Sequence, residues 1–63
     1  MRSTAFFTIE RPMPVSHLLT ALGIDPRRVA VEHNLVVVKK DTYGATVVQA
    51  GDHVEIVNFV GGG

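Results

Sequence analysis

The chain has no cysteine and no tryptophan, and only four aromatic residues: Phe6, Phe7, Tyr43 and Phe59. Without cysteine, disulfides cannot staple the fold and thiolate metal sites are excluded. Charge of either sign is balanced, with six Lys plus Arg against six Asp plus Glu. A net charge of zero leaves no electrostatic footprint for nucleic acid or an anionic membrane. The apolar runs are far too short to span a bilayer, and Arg2 is followed by no continuous apolar segment of the signal-peptide kind. The expectation is a soluble cytoplasmic protein. No glycine-rich loop opens a helix, so no phosphate cradle is present. His17, His33 and His53 show no metal-site spacing and read as exposed titrating side chains. No serine or threonine sits in a nucleophile motif. Asp52 and Glu55 have no pocket to make them an acid–base pair, and Asp52, Asp25 and Asp41 suit turn and loop positions. No catalytic and no metal-binding residue is therefore expected.

What is present is enough for one small core. The 63 residues are 46% hydrophobic, which fits a single globular domain spanning 1–63. Thr4 to Glu10 alternates as a strand, with Ala5, Phe7 and Ile9 on one face and Phe6 and Thr8 on the other. Pro12 and Pro14 break it. Val15, Leu18, Leu19 and Leu22 then form one helical stripe, opened by Pro14 and closed by Gly23, Ile24 and Pro26. Val29–His33 and Val36–Val38 read as strands, Asp41–Gly44 as a turn or single helical turn, Ala50-Gly51-Asp52 as a tight turn, and His53–Val60 as the last strand. Lys39-Lys40 and Arg27-Arg28 read as solvated ends, with a small basic docking patch as the other reading. One helix with one apolar stripe covers one sheet face, so the fold class is α+β: a roll with a mixed sheet of about four to five short strands. The crossover through the helix is right-handed if it returns to a parallel neighbour.

Two features bear on function. The chain closes on Gly61-Gly62-Gly63. Glycines at an end bury nothing and lose the most entropy on ordering, so residues 61–63 are predicted to form a flexible tail. Such a tail can thread a channel too narrow for any Cβ and present its carboxylate for activation; the alternative is an inert frayed end. The second feature is the outer face of the last strand. Val57 and Phe59 are an exposed partner-binding patch if that face is open, and ordinary covered residues if the strand is central.

The segments Val29-Ala-Val-Glu-His-Asn-Leu-Val-Val-Val38 and Ala50-Gly-Asp-His-Val-Glu-Ile-Val-Asn-Phe-Val-Gly-Gly-Gly63, with the helix Val15–Ile24 before them, resemble the ThiS family, the sulfur carriers of thiamine biosynthesis. The resemblance covers about the last four-fifths of the chain. It implies a ubiquitin-like β-grasp fold. It also implies that the Gly63 carboxylate is adenylated by an E1-like enzyme of the ThiF type, which uses ATP and magnesium. Sulfur from a donor such as a cysteine desulfurase would convert it to a thiocarboxylate, which passes sulfur to thiazole synthase of the ThiG type. Gly61 and Gly62 would thread the channel, and Val57 and Phe59 would lie near the partners. The chain would be a carrier with no bound cofactor, not an enzyme. Molybdopterin-type carriers share the Gly-Gly end, a plain β-grasp interaction module would need no tail chemistry, and a protein modifier is a more remote reading. The family usually opens with a hairpin around an Asn-Gly turn and a threonine helix cap. Residues 1–14 carry neither, so the N-terminal strands and the helix cap depart from the pattern.

Overall fold

The computed structural model describes residues 2–59. The expectations for Val60, Gly61, Gly62 and Gly63 fall outside those residues. The elements in chain order are β1 (Arg2–Thr8), β2 (Met13–Pro14), α1 (Val15–Ala21), β3 (Val29–His33), β4 (Val36–Val38), β5 (Val47–Val48) and β6 (His53–Phe59). Two 3₁₀ turns, Pro26–Arg28 and Lys40–Thr42, lead into β3 and out of β4. The result is a small α+β roll of the β-grasp kind.

The main sheet has the order β1-β6-β3-β4, and β2 with β5 forms a separate two-stranded ribbon. The sequence predicts a mixed sheet, but each pairing among the described residues is antiparallel. The reason lies in the position of β6. Both β1 and β3 run antiparallel to β6, and so parallel to each other, with β6 between them. The crossover through α1 thus joins two parallel strands that do not touch.

The core forms where α1 meets the sheet. Val15, Leu18 and Leu19 from the helix pack with Val29, Val31, Val38, Val54 and Ile56 from the strands, closed by Ile9, Tyr43 and Val48. Burying each of these aliphatic side chains contributes about 1.5–3 kcal/mol. Leu22, the last member of the predicted stripe, is 40% exposed because the helix ends at Ala21 and Leu22 is its C-cap. The stop signal works as the glycine suggests. Gly23 takes φ +71°, its N–H reaches Thr20 O at 3.0 Å, and the Ile24 N–H reaches Leu19 O at 2.9 Å. This is a Schellman closure, with Ile24 packed on the core.

The helix start is different. Pro14 is the N-cap and supplies no side-chain hydrogen bond. Instead, the loop before β5 does so: Val15 N–H donates to Thr46 O at 2.9 Å and Ser16 N–H to Tyr43 O at 3.0 Å. Tyr43 is buried, its hydroxyl donates to Val29 O at 3.3 Å, and burial pushes its pKa up. A seven-residue helix is too short to stand alone. It persists here because tertiary contacts cap and cover it.

Candidate functional site

The helix covers one face of the sheet and leaves the other open. Register decides which side chains share that open face. Side chains alternate, so Glu55, Val57 and Phe59 of β6 point away from the core face that holds Val54 and Ile56. Cross-strand pairing then builds rows: Phe6 beside Glu55 beside Glu32 beside Val37, and Thr4 beside Val57 beside Ala30. Phe59 stands opposite Arg2 at the far end of β1.

This arrangement corrects one part of the predicted patch. Val57 is only 7% exposed, so it is not the open surface residue the outward position suggests. It sits on the inner strand of the sheet, and neighbours on both flanking strands shield its short side chain. Phe59 is half exposed, as an outward aromatic near the sheet end should be.

The larger apolar surface lies elsewhere on the open face. Phe6 is 75% exposed and Leu35 is 87% exposed. With Thr8, Glu32, His53 and Glu55 they line a shallow groove of about 280 Å³. Leu35 also has φ +71°, next to Asn34 at φ +49°. Two successive left-handed residues make the tight turn between β3 and β4, and the second position suits glycine. A leucine there is strained, with little burial to offset the strain. Strain retained at an exposed apolar residue is a pointer to binding. Neither Phe6 nor Leu35 is among the site residues expected from sequence. The signal in the sequence is Asn34-Leu35 where Asn-Gly would be the comfortable choice.

A polar network fixes this corner. Asn34 N–H donates to His53 O at 2.8 Å, and His53 N–H donates to Asn34 Oδ1 at 2.8 Å. His33 is not the exposed histidine expected: its Nε2 lies 2.6 Å from Asp52 Oδ2, and its side chain is 24% exposed. The same carboxylate accepts the Gln49 N–H at 2.8 Å, as a turn aspartate should. That Gln49 amide first, then His33, holds Asp52 down to about 2. Asp25 is also held near 2, by the side chain and amide of Arg27. A carboxylate with a depressed folded pKa stabilises above its unfolded value of 3.8, and that contribution is lost as pH falls toward about 2. Asp52→Asn, which keeps an acceptor oxygen but not the charge, is therefore expected to flatten the acid limb between these values. Urea midpoints measured across pH 2 to 4 check this; a limb as steep as the parent's would mean Asp52 carries none of it.

Charges on the surface also have a pattern. Glu32 and Glu55 stand directly opposite each other on neighbouring strands. The ammonium of Lys40 donates to Arg27 O at 3.0 Å, which draws Lys39-Lys40 and Arg27-Arg28 together. Val29 pairs with Asn58, so this basic group lies at the Phe59 end of β6. Among the described residues no three His, Asp or Glu side chains gather as a metal site, and no helix is long and apolar enough to cross a membrane. Gly61, Gly62 and Gly63 lie outside the described residues.

The sequence pattern described as "ThiS family" matches residues 3–63. The chain is 54% identical over 46 residues to a thiazole synthase of Magnetococcus marinus, covering 73% of this chain and 14% of that protein. It is 53% identical over 51 residues to a thiazole synthase of Paramagnetospirillum magneticum, covering 81% of this chain and 16% of that protein. It is 32% identical over 57 residues to the uncharacterized protein ycf40 of Porphyra purpurea, covering 90% of this chain and 80% of that protein. The chain thus spans only a small part of the thiazole synthases it matches. No solved structure matches it. A β-grasp roll, a terminal glycine run and a family pattern running through both place this chain in the ThiS family of sulfur carriers.

Proposed function

We propose that the chain carries sulfur as a thiocarboxylate on Gly63 and delivers it for thiazole formation in thiamine biosynthesis. The observation that carries this reading is the family match over residues 3–63, which runs through the last glycine. The two thiazole synthases among its relatives favour thiazole over molybdopterin as the destination.

The chemistry asks little of the carrier's side chains. A carboxylate is a poor electrophile. The Gly63 carboxylate attacks the α-phosphorus of ATP on an E1-like enzyme of the ThiF type, and pyrophosphate leaves. A persulfide on a donor such as a cysteine desulfurase attacks the acyl carbon of the resulting adenylate, and AMP leaves; a second thiol then cleaves the acyl disulfide by exchange, releasing the thiocarboxylate and leaving a disulfide on the donor side. The thiocarboxylate then gives its sulfur to a ThiG-type thiazole synthase. ATP and magnesium belong to the activating enzyme, and the carrier is a co-substrate. Gly61 and Gly62 offer no Cβ to a narrow channel. The open face supplies docking through Phe6, Leu35 and Phe59, all exposed.

Leu35 separates docking from stability. A left-handed non-glycine residue costs roughly 1–2 kcal/mol, whereas glycine's extra chain entropy costs about 0.5–1 kcal/mol. Leu35→Gly is therefore expected to raise stability by up to ~1.5 kcal/mol and still weaken binding to the activating enzyme. Urea midpoints and calorimetric titration measure the two effects. Unchanged affinity would remove Leu35 from the docking face.

The function itself is tested by mass. The chain is incubated with ATP, magnesium, an E1-like enzyme and a sulfide source, then alkylated. Because it has no cysteine, any thiol adduct reports new sulfur. Alkylation is needed because exchange of oxygen for sulfur resembles oxidation of Met1 or Met13 in mass. One ATP-dependent adduct mapped to Gly63 is the expected result. No adduct with a competent enzyme would leave a β-grasp interaction module with an inert end.

A further inference from the structure

The margins of the main sheet are unequal. β4, at one margin, is three residues long and runs into Lys39-Lys40. Short length and lysine are devices that discourage pairing with another strand. β1, at the other margin, is seven residues long. Between Ser3 and Thr8 it contains no proline and no charged residue. Ser3, Thr4, Ala5 and Phe6 are all exposed. Among the described residues, nothing pairs with its outer edge. The backbone N–H and C=O groups on that side form an unguarded template.

We propose that β1 pairs with β1 of a second copy of this chain, forming an antiparallel dimer about a two-fold axis at Ala5. The occupant follows from symmetry. An antiparallel pair of identical strands is self-complementary, so every copy brings the matching edge. The register that uses the whole strand centres on Ala5 and sets Arg2 opposite Thr8 of the partner subunit. Phe6 then packs beside Thr4 of the partner subunit, which covers part of the most exposed aromatic ring. The four-stranded sheet of each copy joins into one of eight. Phe59 lies beside Arg2, at one end of β1, so the two-fold places the two Phe59 ends at opposite ends of the joined sheet. Self-pairing therefore competes with docking at Phe6 and leaves Phe59 uncovered. A strand pair falls short of the ~1,200–2,000 Å² of a stable interface, so the dimer dissociates on dilution.

The absence of cysteine makes the test direct. Sedimentation equilibrium from micromolar to millimolar concentration is expected to show a mass rising from one chain toward two. Phe6→Lys places a charge on the edge and is expected to weaken association by about tenfold or more. Ala5→Cys should form an intermolecular disulfide under mild oxidation, since opposite Cα atoms on paired strands lie about 4.5–5.5 Å apart. Ser3→Cys should not, because its two copies would be roughly 14 Å apart. Circular dichroism confirms that each variant is folded. A single-chain mass at every concentration, or equal cross-linking at Ala5 and Ser3, would overturn the proposal.

Discussion

Gly62→Val is expected to abolish ATP-dependent sulfur loading of Gly63 while leaving the thermal midpoint of the chain in place. The argument is steric and chemical. A channel that admits a glycine backbone leaves no room for a Cβ, and valine adds two methyl groups on that carbon. Acyl adenylation also demands that the carboxylate approach the α-phosphorus in line, where a displacement of about 1 Å costs on the order of 100-fold in rate. Alkylation and intact mass measure the loss, with the parent chain loaded in parallel. A melt recorded on the same sample keeps folding separate from threading. Loading at the parental rate would end the threading argument, even with Gly63 confirmed as the sulfur site. Loss of loading together with loss of the melt would assign Gly62 to folding instead.

Leu19→Ala should have the largest effect on stability. Leu19 is 1% exposed and lies in α1 against both sheet and loop residues of the core. Its carbonyl also closes the helix by accepting the Ile24 N–H at 2.9 Å. Truncating a buried leucine costs about 2–5 kcal/mol, part transfer and part cavity. A chain of 63 residues has roughly 3–9 kcal/mol in all, at about 0.05–0.15 kcal/mol per residue. One substitution therefore removes a large share of the total, and the variant should be partly unfolded at physiological temperature. Leu22→Ala is the control. Leu22 is 40% exposed, so less than half the effect is expected. Urea unfolding followed by circular dichroism compares them. Equal losses at the two positions would mean the helix does not pack as described.

Much of the fold is legible in the sequence wherever a pattern is local. Val29–His33 and Val36–Val38 are strands with the bounds their apolar runs suggest. Gly23 ends the helix and Gly51, at φ +88°, makes the turn before β6, because only glycine enters the left-handed region freely. Other features were not legible. The β2–β5 ribbon consists of two residues on each side, Met13-Pro14 and Val47-Val48, too short for any periodicity. The helix cap comes from Thr46 and Tyr43, about thirty residues downstream, so no local rule could name it. Proline belongs in a strand only at a margin, and the ribbon is such a place.

The open face of the sheet divides in the same way. Phe59 and the outward alternation of β6 follow from sequence period alone. That Val57 is covered follows from β6 being an inner strand, which depends on pairing. That Phe6 and Leu35 share a groove follows from register between β1, β6 and β3. His33 meets Asp52 because two turns distant in sequence close at the same end of the sheet.

By itself, the sequence determined the helix stripe, the strand runs, the glycine turns and the glycine end. Each depends on neighbours within a few positions, where backbone sterics and side-chain period act directly. Only the tertiary structure decided strand order, the fully antiparallel sheet, the borrowed helix cap, the burial of Val57 and the exposed edge of β1. Each of these depends on which distant segments pair, and pairing is chosen by the burial of the whole core rather than by any one segment.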